Sequence, residues 1–405
     1  MIRFQLCLFA ALRRALVVGA VILIWANLLV AASPIVGNQT PLVLDSGDPV
    51  GEQGWAVDVS GNLAIVGAPY YQGGSAFIFD LTTGNLLHRL TASDPSPSAL
   101  FGFSVAIDDG LAVVASGQKN AAYVFDSTTG QQLHKLMPTT GSSDFVRSVD
   151  VSNGVAVLGT PTIEAAFLYN ALSGSKISRI NGPTTFGKDE FASVVAIDGN
   201  TTAILSPGFG GRGDVYVVDS QSGALRWKYG QSTTGEDFYV ADVVIDGGRV
   251  VVGGGPGFYA MPTAYALERS TGAFMREIDI RSPNGAGGYR AQLDVSGDLL
   301  VVGTWTANSL AGAVHSFDLS TGGFLGEILN PNPMGEDEFG YSLSLEKGRL
   351  VVGAPGIDTA QGNQGLTYSF IVPEPTAAGL SAIATLLCMC RARNIREEKV
   401  PSEIR

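Results

Sequence analysis

Cysteine is nearly absent from this chain of 405 residues: Cys7, Cys388 and Cys390 are its three, all in apolar segments near the ends. The intervening body therefore has no disulfide, thiol or cysteine metal site. Charged residues make up only 15%, against roughly 25% in an average soluble chain. With 45% hydrophobic residues alongside, that scarcity excludes a disordered polymer, which would be charged and poor in Val, Ile and Phe. Basic residues are scarcer than acidic ones, giving a formal net charge of −12. Nucleic-acid binders carry basic patches or stripes, so that class is excluded as well. Glycine, by contrast, is plentiful at 52 residues. So many would interrupt helix interiors at about 1 kcal/mol each, which disfavours a helical architecture.

The body is repetitive. A turn signal of the form D-x-x-[ST]-G recurs with its glycines at Gly84, Gly130, Gly174, Gly223, Gly272 and Gly322, spaced by 46, 44, 49, 49 and 50 residues. An alternating strand precedes each: AFIFD (76–80), AYVFD (122–126), AFLYN (166–170), VYVVD (215–219), AYALE (264–268) and VHSFD (314–318). TYSFI (367–371) is a seventh copy without its turn. Upstream of these lies a second signature, as in FGFSVAIDDGLAVVAS (101–116) and FGYSLSLEKGRLVVGAP (339–355): an aromatic start, alternating residues, a polar turn and a β-branched run. Period-2 alternation with Gly, Asp and Asn turns indicates antiparallel strands joined by hairpins.

Four strands in about 49 residues, seven times over, predict an all-β, seven-bladed β-propeller over 40–371; a β-solenoid is the runner-up. Blade seven ends at Ile371 without an outer strand, whereas TPLVLDS (40–46) precedes blade one without a partner. Leu44-Asp45-Ser46-Gly47-Asp48-Pro49 also echoes Leu90-Thr91-Ala92-Ser93-Asp94-Pro95, the end of blade one's outer strand. The N-terminal strand is therefore expected to complete blade seven and close the ring, which leaves no exposed edge at the seam.

Phe339-Gly340 followed by Gly353-Ala354-Pro355 resembles the FG-GAP repeat of integrin-type propellers and bacterial surface proteins; Phe101-Gly102 and Gly67-Ala68-Pro69 are half-matches. That family's calcium loop, D-x-D-x-D-G, has no counterpart here: the turns read Asp108-Asp109-Gly110 or Asp246-Gly247-Gly248. VYVVDSQSGALRWKY (215–229) resembles the blades of quinoprotein-type propellers. That likeness implies an oxidoreductase, but the cationic, aromatic and metal-binding residues a quinone cofactor needs are not identifiable from the sequence.

Both ends carry their own signals. Residues 1–32 read as a secretory signal peptide: Arg3, Arg13 and Arg14, then the apolar run Ala15–Val30, then Val30-Ala31-Ala32 with cleavage between Ala32 and Ser33. An uncleaved anchor is the alternative, because the run approaches a membrane span. A linker, 33–39, leads into the propeller. At the other end, Val372-Pro373-Glu374-Pro375 precedes an apolar 15-residue stretch, 376–390, expected to be a short transmembrane helix stopped by Arg391, Arg393 and Arg396. Residues 372–405 resemble the PEP-CTERM sorting tail of exported bacterial proteins. The resemblance implies that Pro373, Glu374, Pro375, Arg391 and Arg393 form the sorting motif. It also implies an exosortase-type processing enzyme as partner, besides the secretion machinery, in organisms that make exopolysaccharide. The destination expected is transient anchoring in the inner membrane, then the cell surface or exterior.

Within the body, no catalytic constellation emerges. His88 and His134 occupy equivalent outer-strand positions in blades one and two, and His315 sits in a third strand, so no zinc cluster or Ser-His-Asp arrangement is expected. Gly182–Asp189 imitates a phosphate loop but has Asp where the magnesium-binding Ser or Thr belongs, and it joins two strands. Acidic residues recur in the linkers before the first strands: Asp144, Asp189-Glu190, Glu236-Asp237 and Glu336-Asp337-Glu338. They read as solvated turns in which Asp caps backbone amides. The sharper reading makes Asp144, Asp189, Asp237 and Asp337 weak metal ligands, calcium being the cation suited to carboxylates. Without its two ends the body is still more acidic, with a net charge of −17 over 33–375. The functional expectation is an exported, non-enzymatic surface or matrix protein whose propeller is an interaction platform for exopolysaccharide or protein partners. The alternative is a quinoprotein-like or polysaccharide-acting propeller enzyme.

Overall fold

The computed structural model describes residues 40–48, 51–138, 145–183, 190–207, 213–235, 238–255, 263–281, 292–308, 310–359 and 362–375. The expected signal peptide (with Ala32 and Ser33), the linker and the helix 376–390 with Arg391 and Arg393 lie outside these residues. Seven four-stranded antiparallel sheets form the ring. Blade 1 is typical: strand a, Ala56–Ser60; b, Leu63–Ala68; c, Ser75–Asp80; d, Leu86–Leu90. Blades 2 to 6 span 101–136, 148–181, 194–230, 239–279 and 292–329, and blade 7 holds 342–371. The blade count and the four-strand unit agree with the sequence reading.

Ring closure occurs where the sequence places it. Leu42–Leu44 pairs antiparallel with Leu366–Ile371 as the outer strand of blade 7, with Leu42 opposite Ser369 and Leu44 opposite Thr367. Gln53 locks the seam: its Nε2 donates to the Leu44 carbonyl at 2.6 Å, and its Oε1 accepts the Ser46 N–H at 2.8 Å. Helix elements among the described residues are one turn at Gln231–Thr234 and a 3₁₀ turn at Pro161–Ile163, and Pro375 is also helical. No described helix is long and apolar enough to cross a membrane.

The core lies between blades. Strands b and c are buried almost throughout, as in Leu111–Ser116, because each is covered by a neighbouring sheet on both faces. Phe101 of blade 2, for example, is 2% exposed and packs with Ile65 and Ile78 of blade 1. The outer d strands alternate exposed and half-buried, as expected of an edge. The D-x-x-[ST]-G turn owes its recurrence to local hydrogen bonding. Asp126 Oδ1 accepts the N–H groups of Thr128 and Thr129, while the Gly130 N–H reaches the Asp126 carbonyl with φ of 70°. A short acceptor side chain followed by a residue tolerant of positive φ is what such a turn requires.

Candidate functional site

Strand a of every blade faces the central axis, and alternate side chains along it form tiers, two of which lie nearest the start of the strand. The first tier is Ala56, Ser104, Ser148, Val194, Asp242, Gln292 and Ser342; the second is Asp58, Ala106, Asp150, Ala196, Val244, Asp294 and Ser344. Most of the polar side chains among them accept hydrogen bonds from the backbone of the next blade. Asp58 Oδ2 accepts the Ile107 N–H at 2.7 Å, Asp150 the Ile197 N–H at 2.7 Å, and Asp294 the Leu345 N–H at 2.6 Å. In the first tier, Ser104 accepts from Val149, Ser148 from Val195, and Asp242 from Leu293. The innermost strands have no strand neighbour toward the axis, so their amides would otherwise go unpaired.

The four axial aspartates do not titrate as ordinary carboxylates. Burial raises Asp58 to about 6, Asp242 to about 7 and Asp294 to about 8. Asp150 lies well above its ordinary value, chiefly through burial and then the charge of Asp58. Backbone hydrogen bonds oppose the rise in every case but are outweighed.

Above the first tier, on the face where the a strands begin, the axis opens into a cavity of about 500 Å3. Its wall is unequal. The residue preceding strand a is Trp55 in blade 1, Phe103 in the equivalent place of blade 2 and Tyr341 in blade 7, whereas blades 3 and 4 place Arg147 and Ser193 there. Trp55 packs 4.7 Å from the Tyr341 ring and 5.8 Å from Phe103, and Tyr341 lies 6.0 Å from Trp305. Across the mouth stand Ser148, Glu190, Ser193 and Asp242, with Arg147 Nη1 3.9 Å from Glu190 Oε2; Gln292 lies on the blade of Trp305 and accepts the Leu343 N–H. Among the described residues of the lining, Arg147 is the only cation.

Several residues singled out from sequence have structural roles. His88 Nε2 bonds the Thr128 carbonyl at 2.8 Å and His134 Nε2 the Leu172 carbonyl at 2.9 Å, each tying an outer strand to the next blade's turn. Trp227, the residue that suggested a quinoprotein blade, does the same through Nε1 to the Arg269 carbonyl. It sits on the outer rim, away from the axis. His315 is buried beside Thr304 and Glu327, and burial holds its pKa below the usual histidine range.

Of the metal candidates, Asp144, Asp189 and Asp237 lie outside the described residues. Asp337 is 1% exposed and caps its own loop, accepting Asn330 Nδ2 and the Met334 N–H at 2.7 Å each. No three His, Cys, Asp or Glu side chains converge as a metal site among the described residues.

Of the sorting residues, Pro373, Glu374 and Pro375 are described. Val372 is fully buried and its N–H donates to the Gly348 carbonyl at 2.7 Å. Glu374 Oε1 accepts from Ser296 Oγ at 3.2 Å, beside Gly297 in the a–b turn of blade 6. Burial, and then the charges of Asp246 and Asp298, push its pKa up. This strip therefore lies on the face where the a strands end, opposite the cavity mouth.

The mouth wall escaped the sequence reading. The repeated aromatic starts Phe101, Phe191 and Phe339 are core residues, 2%, 1% and 0% exposed; the mouth-facing positions come two residues after Phe101 and Phe339. A family profile described as outer membrane protein assembly factor BamB matches residues 42–325. No curated protein sequence matches the chain significantly. The family match fits a quinoprotein-like propeller as well as an interaction platform. Among the described lining residues, Arg147 stands beside Glu190.

Proposed function

The chain belongs to the family of the outer membrane protein assembly factor BamB, and on that premise we propose that it is an exported, non-enzymatic interaction platform that binds through its cavity mouth. One observation carries the reading: the mouth and the Val372–Pro375 strip lie on opposite faces. The described chain also starts its first strand at that far face, because Leu42 pairs with Ser369 near the end of blade 7's c strand. A propeller tethered by either flank would present the mouth away from its tether. The acidic body suits a protein that must remain soluble outside the cell. Among the described residues the mouth has aromatic and hydrogen-bonding groups but no nucleophile–base pair, so binding is the activity they support best.

The signal at 1–32 and the tail at 372–405 supply the destination: general secretion, a hold in the inner membrane, processing near Pro373–Pro375 by an exosortase-type enzyme, and delivery to the surface or exterior. Exopolysaccharide and surface proteins are the partner classes to test. Fractionation of cells producing the full chain should recover it in surface and medium fractions, shortened at both ends. Full-length protein confined to the cytoplasm would end the export reading. Stable retention with an intact C-terminus would defeat only the processing step.

A further inference from the structure

Resting on that platform reading, we propose that the mouth binds a neutral oligosaccharide, stacked on the Trp55–Tyr341–Trp305 wall and hydrogen-bonded by the opposite polar wall. A pyranose ring has C–H faces that pack on aromatic rings and a rim of hydroxyls that both donate and accept. The cavity mirrors that division. Trp55, Phe103, Tyr341 and Trp305 are each half-buried, so part of every ring remains accessible. Across from them, Ser148 both donates and accepts, Asp242 accepts and Arg147 donates, while Gln292, on the blade of Trp305, adds an amide. A volume of about 500 Å3 lies within the roughly 300–1,000 Å3 of small-molecule sites.

The neighbouring chemistry narrows the class. Asp242, Gln292 and Ser148 already accept backbone N–H groups, and a purely apolar ligand would bury the hydrogen-bonding capacity that remains to them. An anionic polymer would meet Asp242 and Glu190, with Glu52 and Glu338 close enough to each other for their charges to interact. Among the described lining residues Arg147, already facing Glu190, is the single counter-charge. A neutral polyhydroxylated chain makes use of both walls and meets no charge penalty. The aromatic wall is also held in place before any ligand arrives. Tyr70 packs against Trp55 at 4.8 Å and 73°, and Tyr341 bridges Trp55 to Trp305. A wall ordered in advance loses little entropy on binding.

Immobilised full-length protein should be titrated with neutral hexose and N-acetylhexosamine oligomers, with uronate oligomers and with a proline-rich peptide. Intrinsic tryptophan fluorescence provides a second readout. The expected result is saturable binding of at least one neutral oligomer, with a change in tryptophan emission. Trp55→Ala and Trp305→Ala should each weaken it about tenfold or more, about 1.4 kcal/mol. Trp55→Phe should retain most of the affinity, and Phe274→Ala, on an exposed outer strand, should change nothing. Circular dichroism of each variant separates loss of the wall from loss of the fold. The inference is overturned if no neutral oligomer binds, if uronates bind in preference, or if both tryptophan variants bind as well as the parent. If the peptide or a surface protein is captured in a Trp55-dependent manner while sugars are not, the saccharide assignment fails and the platform stands. If a surface partner binds and neither tryptophan matters, the mouth itself is the wrong face.

Discussion

Gly353 of blade 7 lies against the carbonyl oxygen of Gly54 of blade 1, so closely that a Cβ on Gly353 would overlap it. The same relationship joins Gly67 to Gly102 and Gly303 to Gly340. The FG-GAP-like residues therefore mark an inter-blade seam: a strand-b glycine of one blade receives the backbone of the next. Gly54, Gly102 and Gly340 also hold φ of 90°, 93° and 87°, where an L side chain is strained.

Gly353→Ala and Gly67→Ala are expected to destabilise the propeller by about 1–3 kcal/mol each, the usual cost of forcing extra volume into a packed contact. Ala at Gly110, where a Cβ would meet nothing, faces only the cost of its positive φ and should do less harm. Urea midpoints of the three variants decide this. Equal losses at all three positions would show that the seam is not the cause.

Removal of residues 40–45 should open the ring. It strips the outer strand of blade 7 and leaves Gln53 Nε2 without the Leu44 carbonyl. A broadened melting transition at lower temperature is expected. An unchanged melting curve would mean that the strand contributes no closure.

The axial aspartates set a pH dependence whose direction can be worked out. Asp58, Asp242 and Asp294 have folded values raised to about 6, 7 and 8 from an ordinary 3.8, so between those limits the folded state binds more protons than the unfolded one. Stability should therefore fall as pH rises from about 4 to about 8. Each shift spans about two or more pKa units, so the loss is on the order of a few kcal/mol. Asp294→Ala should lower stability at every pH, by orphaning the Leu345 N–H, yet flatten the slope. Denaturation at pH 5 and pH 8 tests both. A slope of the opposite sign would reject the account.

Glu374 anchors the Val372–Pro375 strip, the proposed sorting motif. Glu374→Ala removes the Ser296 contact and should speed hydrogen exchange at the Val372 amide, now bonded to Gly348. It should also hasten limited proteolysis around Pro373–Pro375. Exchange and cleavage at the parent's rates would mean that Glu374 does not hold the strip.

The fold was legible because its signals are local. Period-2 alternation fixes strands, and Asp126 with Gly130 reproduces a turn chemistry that each repeat restates. Closure was legible because Leu44-Asp45-Ser46 still resembles the end of another blade's outer strand. The site was not, because curvature alone assembles it. Asp58, Asp150, Asp242 and Asp294 look like the polar half of an alternating strand until seven strands converge. Trp55, Phe103 and Tyr341 stand near the more regular core aromatics, and Trp305 comes from a loop with no repeat signal at all.

The Leu42–Ser369 pairing also makes the ring asymmetric under load. Residue 41 and residue 372 leave the same end of an antiparallel pair. Tension between the two flanks thus peels Leu42 from Ser369 first, then Val43 from Tyr368, then Leu44 from Thr367, instead of shearing all three contacts at once. The other six blades carry none of that force until the short strand has let go. The closing strand is in this sense a mechanical fuse: a propeller pulled from both ends yields first at its clasp, while the mouth on the far side of the ring keeps its shape.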